Sequence, residues 1–79
     1  MIARLPGPSR PLTERERQIA AAIGRGLRYA EIAVELTRIN GRRIRLNTVR
    51  AHVRTMAQLF DSPRELAPRW RIYLWVAQA

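Results

Sequence analysis

Apolar residues recur with helical spacing in four stretches of the chain, and this pattern predicts an all-α domain. Thr13 and Glu16 have the spacing of a capping box, which marks the start of the first helix. Gly24 and Gly26 mark its end, with Gly26 expected at a positive φ. The predicted helices cover about 14–24, 29–39, 48–60 and 69–78.

The segment around Asn40-Gly41 allows two interpretations. It either closes the second helix or forms the turn of a hairpin between 37–39 and 42–44. The helical register is unbroken through Ile39 and favours the helix. Residues 42–46 then form an extended connector, with Ile44 and Leu46 directed inward. From Leu36 to Thr48 the chain has about six residues more than a usual helix-turn-helix turn.

The third predicted helix has two chemically different sides. One side carries the apolar residues Val49, Val53, Met56 and Phe60. The other carries Arg50, Ala51, Arg54 and Gln58. Asn47 is expected as its N-cap. A helix held by one face with such residues on the other suits a DNA major groove, where Arg reads guanine, Gln reads adenine and Ala meets a thymine methyl. The alternative is an ordinary amphipathic surface helix with solvated charges.

The charge balance indicates a polyanionic partner. The 79 residues carry a formal net charge of +9, and every basic residue is Arg. A GC-rich genome would also favour Arg. Between Leu36 and Phe60 there is no acid, whereas the window holds Arg38, Arg42, Arg43, Arg45, Arg50 and Arg54. The chain has no cysteine and no apolar run of membrane-spanning length, so we expect a soluble, cytoplasmic protein without metal or cofactor.

The two ends of the chain differ in character. Residues 1–11 are rich in Pro and Gly and are expected to form a flexible arm before a domain over 12–79. In the alternative, Arg4 and Arg10 of this arm contact phosphate or a minor groove. Ser62 to Glu65 carries a second helix-start signal. The last helix is apolar all round, and in so small a domain one face needs a partner. We assign that face to a homodimer through Ile72, Trp75 and Val76; in the competing interpretation Trp70 and Trp75 both serve the core.

These stretches resemble the LuxR-type helix-turn-helix domain of bacterial regulators. The likeness rests on Leu12-Thr-Glu-Arg-Glu-Arg17, Gly26-Leu27, Glu31-Ile-Ala33 and Thr48-Val-Arg-Ala-His52, and it returns weakly at Tyr73-Leu-Trp-Val76. The resemblance implies four helices, with the third in the major groove, Arg50, Ala51 and Arg54 reading bases, and the fourth mediating dimerisation. The chain departs from the family in its extended turn between helices two and three, in Arg28 where the family has a Ser or Thr cap, and in the long link 61–69.

We therefore expect a bacterial or phage transcriptional regulator that binds double-stranded DNA in a sequence-specific manner. The backbone contacts would come from Arg42, Arg43, Arg45, Asn47, Thr48, His52 and Gln58. One alternative is a sigma-factor-like domain that reads promoters beside RNA polymerase. Another is a protein-interaction module that occupies an acidic surface. An enzyme is not expected, because the chain has one His, no Cys and no glycine-rich phosphate loop.

Overall fold

Four helices form the fold, as the spacing of apolar residues predicts. The computed structural model describes residues 7–60 and 65–78. Within these ranges the helices are α1 (Glu14–Gly24), α2 (Tyr29–Asn40), α3 (Leu46–Ala57) and α4 (Pro68–Ala77). The prediction of a small all-α domain is confirmed. The start signal predicted at Ser62 to Glu65 falls largely outside the described residues.

The ends of α1 and α2 follow their local sequence signals. The Thr13 hydroxyl accepts a hydrogen bond from the Glu16 N–H, and the Glu16 carboxylate accepts one from the Thr13 N–H. Gly26, just beyond α1, has a φ of 84°, and Gly41 ends α2 with a φ of 66°. Left-handed backbone of this kind favours glycine because it lacks a Cβ. Gly41 thus closes a helix, and the hairpin alternative is wrong.

The third helix begins and ends earlier than predicted. Arg45 occupies the N-cap position without a side-chain cap, and Asn47 lies inside the first turn. The chain is fixed ahead of Asn47, because Ile44 is buried and its N–H donates to the Thr37 hydroxyl at 2.9 Å. This tertiary constraint overrides the capping preference of Asn. The prediction of Asn47 as N-cap is therefore wrong, and only residues 41–45 separate α2 from α3.

The core lies where α1, α3 and α4 meet, with α2 packed on α3. Its largest fully buried side chains are Ile19, Ile23, Ile32, Leu36, Val49, Val53, Met56 and Ile72. The apolar stripe predicted for α3 is buried throughout, including Phe60, although Phe60 lies beyond the helix end. Pro68 begins α4, at a position where its missing N–H is no loss.

The described part of the N-terminal segment packs on the body of the domain. Pro8 forms an isolated bridge with Phe60, and the Ser9 N–H donates to the Leu59 carbonyl at 2.8 Å. Gly7 approaches the indole of Trp75. The expectation of a flexible arm over 1–11 did not foresee these contacts, and its residues 1–6 lie outside the described ranges.

Candidate nucleic-acid interface

The outer face of α3 is open to solvent along its length. Arg50, Ala51 and Arg54, the three residues expected to read bases, are all exposed. The opposite face is sealed against the core, since Val49, Val53 and Met56 are at most 2% exposed. The helix is thus held by one side and presents the other, as the sequence predicts.

The exposed side chains of α3 divide into two flanks. Successive residues are offset by about 100° around a helix, so Ala51 lies farthest from the buried stripe. Arg50 and Arg54 fall on one flank, while Thr48, His52 and Thr55 fall on the other. The outer face of α3 therefore has a cationic flank, formed by Arg50 and Arg54, and a hydroxyl-rich flank, formed by Thr48, His52 and Thr55, with Ala51 between them.

The hydroxyl-rich flank faces the start of α1 across an open cleft of about 620 Å³. The cleft is lined by Thr13, Glu16, Asn47, Thr48, Ala51, His52 and Thr55. His52 is half-buried in this cleft. Its walls offer hydroxyl, amide and imidazole groups, which suit hydrogen bonds to a phosphodiester backbone.

The opposite flank rests near Tyr29 of α2. Burial raises the pKa of the Tyr29 phenol, and the charges of Arg69 and Arg50 act in the other direction. The Arg69 guanidinium lies over the Tyr29 ring at 5.4 Å and donates to the Leu27 carbonyl. Arg69 of α4 therefore anchors the start of α2, and the charge of Arg50 acts on the same phenol.

The connector before α3, residues 41–45, is held in place by a hydrogen bond and a buried side chain. The Thr37 hydroxyl donates to the Ala33 carbonyl at 2.8 Å and accepts from the Ile44 N–H. With Ile44 buried, the flanking Arg43 and Arg45 are exposed, and so is Arg42. The alternation predicted for this segment is seen at Ile44, whereas Leu46 is half-buried and belongs to α3.

Each acidic residue of α1 and α2 has a hydrogen-bond or ion-pair partner within the chain. Glu16 pairs with Arg10, Glu14 with Arg17 and Glu35 with Arg25. Glu31 accepts a hydrogen bond from the Arg28 N–H at 2.7 Å. Among residues 7–60 and 65–78, no ion pair involves the six arginines between Arg38 and Arg54. Within the described residues, the charge of these arginines is therefore not balanced by an ion pair.

The Arg10–Glu16 pair stands at the start of α1. Both Arg10 Nη atoms contact the carboxylate, at 2.8 and 2.9 Å, and Glu16 is only 5% exposed. The Arg10 guanidinium, helped by the Thr13 N–H, lowers the pKa of Glu16 to about 2 against the opposing effect of burial. Glu16 therefore stays ionised and keeps Arg10 in place over a wide pH range.

The residues assigned to a dimer interface face the chain's own core. Ile72 has no exposed surface, Trp75 packs on Phe60 with ring centroids 5.3 Å apart, and Val76 lies against Gly24. The assignment of Ile72 to the interface is therefore wrong, whereas Trp75 and Val76 are only partly buried against the same core. The exposed apolar residues of α4 are Trp70 and Leu74.

Two residues of the candidate surface, Thr55 and Thr13, were not assigned to it from the sequence. Thr55 lies two turns after Thr48 on the same flank, a spacing that the sequence does contain. Thr13 was interpreted only as a cap. Arg10 was expected in a flexible arm, with contact to phosphate or a minor groove as the alternative, and nothing local marks its pairing with Glu16.

No protein-family model, curated protein or solved structure matches the chain. In the described ranges, no cluster of three or more His, Asp or Glu side chains is arranged to hold a metal ion. No helix within those ranges has the length and apolar character needed to cross a membrane.

Proposed function

We propose that the chain is a sequence-specific regulator that binds double-stranded DNA, with α2 and α3 as a helix-turn-helix unit and α3 in the major groove. The observation that carries the proposal is the exposed face of α3. Arg50, Ala51 and Arg54 are open to solvent on a helix whose other face is buried. Such a helix can enter a groove without giving up its own packing.

The charge distribution supports the same function. The arginines between Arg38 and Arg54 form no ion pair within the described residues, so they remain available to phosphates. In this proposal Arg50 and Arg54 bond base edges and Ala51 contacts a thymine methyl. Backbone contacts come from Arg42, Arg43, Arg45, Asn47, Thr48, His52 and Gln58. The resemblance to LuxR-type domains agrees with this arrangement and with action in the cytoplasm of a bacterium.

We extend the proposal to a homodimer formed through the outer face of α4. Trp70 is 51% exposed and Leu74 is 41% exposed, and Tyr73 packs edge-on against Trp70. An exposed Trp beside other apolar groups is typical of an interface. A two-fold dimer would match a pseudo-palindromic site with half-sites about one DNA turn apart.

Selection from random duplexes tests the function directly. The purified chain should enrich a common motif, and Arg50→Ala with Arg54→Ala should lose it. Arg17→Ala with Arg25→Ala is the matched control, because it removes the same charge from α1 and the residue that follows it and should keep the motif. If the wild type enriches no motif and binds duplexes without salt dependence, the proposal is wrong. The exposed Trp70 and Leu74 would then favour a protein-interaction module.

A further inference from the structure

We infer that Arg10 is an additional DNA-backbone residue, held by Glu16, which itself lines the cleft between α1 and α3. This inference rests on the proposed function and extends its surface from α3 to the N-terminal segment. The chemical group recognised is a backbone phosphate, next to the bases that α3 would read.

Arg10 is fixed from two directions. One residue earlier, the Ser9 N–H donates to the Leu59 carbonyl at 2.8 Å, which ties the backbone to the end of α3. Beyond it, the guanidinium grips the buried Glu16 carboxylate through both Nη atoms. A side chain held in this way loses little conformational freedom when a ligand arrives. Arg10 is therefore preorganised.

The guanidinium keeps bonding capacity toward solvent. Of its five N–H donors, two are given to Glu16 and a third to the Pro11 carbonyl at 3.0 Å. The Arg10 side chain is 44% exposed, whereas that of Glu16 is 6% exposed. The cation of this pair is thus far more accessible to an anion from solvent than the carboxylate is.

The position of Glu16 links Arg10 to the rest of the candidate surface. Glu16 lines the cleft together with Thr48, His52 and Thr55 of the hydroxyl-rich flank. A phosphodiester strand along this flank would find hydroxyl and imidazole groups on the α3 side and a guanidinium at the α1 end. The opposite flank, with Arg50 and Arg54, would face the bases and the other strand.

A charge-conserving double variant tests the inference. Arg10→Gln with Glu16→Gln leaves the net charge of the chain unchanged, so long-range attraction to DNA is preserved. The matched control is Arg25→Gln with Glu35→Gln, which removes a second Arg–Glu pair from the groove between α1 and α2. Binding of each protein to the selected duplex is titrated between roughly 50 and 200 mM salt, a range in which phosphate contacts dominate.

The Arg10/Glu16 variant should flatten the slope of log affinity against log salt by roughly one unit and weaken binding roughly fivefold near 0.15 M salt. The control pair should keep the wild-type slope. A wild-type slope in the Arg10/Glu16 variant would overturn the inference while leaving the proposed function intact. Failure of the wild type to bind any duplex would overturn both.

Circular dichroism checks that each variant is folded. If the Arg10/Glu16 variant is not, Arg10→Gln is compared with Arg25→Gln, because each removes one charge. A flatter slope of log affinity against log salt for Arg10→Gln than for Arg25→Gln supports the phosphate contact, and equal slopes exclude it.

Discussion

A Cβ atom on Gly24 would lie 2.6 Å from Cγ1 of Val76, closer than carbon atoms approach without displacement. Gly24 is the last residue of α1, and Val76 lies near the end of α4. The absent side chain is what lets the two helix ends pack together. Since α4 also packs on α3, this approach helps to support the helix that we propose reads DNA.

Gly24→Ala should therefore destabilise the domain, although Ala is normally the better helix former. Valine is stiff at χ1 and partly buried here, so it cannot easily turn away. We expect a loss of about 1–3 kcal/mol in the free energy of unfolding, measured by urea denaturation. Val76→Ala in the same chain should recover part of this loss. A Gly24→Ala variant more stable than the wild type would contradict the packing.

Arg50→Ala and Arg54→Ala should each relax base preference at particular positions of the selected site. Both side chains are exposed on the cationic flank of α3, and loss of a base contact costs about 1–3 kcal/mol. Binding to duplexes with single base changes measures the effect. Retention of wild-type affinity and the same site by both variants would exclude α3 as the recognition helix.

Neutralising Arg42, Arg43 and Arg45 together should weaken binding to all sequences alike. These exposed side chains sit on a connector that Thr37 and Ile44 hold in place. The slope of log affinity against log salt should fall by roughly one unit per lost phosphate contact. The double variant Arg17→Gln with Arg25→Gln is the control. It measures how much the slope changes for each positive charge removed outside the connector. An unchanged slope in the connector variant would identify a merely solvated loop.

Acid should destabilise the domain partly through Glu16. Its pKa in the folded chain is about 2, against an ordinary value of 4.5. The ionised form is favoured by folding, so its contribution is complete above pH 4.5 and is lost as the pH falls from there toward 2. Melting temperatures across this range should fall less steeply for Glu16→Gln than for the wild type. Glu14→Gln, which alters an exposed pair, should follow the wild type; parallel curves for all three would contradict the role of Glu16.

Two substitutions on opposite faces of α4 should behave differently. Trp70→Arg changes an exposed residue and should leave a folded monomer with weaker DNA binding, whereas Ile72→Arg places a charge in the core and should unfold the chain. Sedimentation of the wild type at micromolar concentration, free and on DNA, measures the oligomeric state. A clean monomer in both conditions would end the dimer proposal.

The parts of the fold that follow from sequence are those with local physical causes. The capping box at Thr13, the glycines at 26 and 41 and the apolar stripe of α3 each act over a few residues. The start of α3 was misassigned because the burial of Ile44 and its bond to Thr37 outweigh a preference local to Asn47.

The candidate surface also has one part that follows from local sequence and another that depends on contacts between distant segments. The exposure of Arg50, Ala51 and Arg54 follows from helical spacing once the buried stripe is known. The pairing of Arg10 with Glu16 joins two segments whose sequences carry no sign of each other. The sequence pattern could not show which face of α4 is covered, because both faces are apolar. The face that packs on the core is the one for which Gly24 leaves space and Phe60 provides an aromatic ring.

The packing of Trp75 on Phe60 also gives the protein two optically different indoles. Trp75 is partly buried against an aromatic ring, while Trp70 is half exposed on the opposite face of α4. In a Trp70→Phe chain the remaining fluorescence should shift to longer wavelength when α4 leaves the core. In a Trp75→Phe chain it should shift to shorter wavelength when another molecule covers the outer face. One helix thereby carries separate intrinsic reporters for folding and for association.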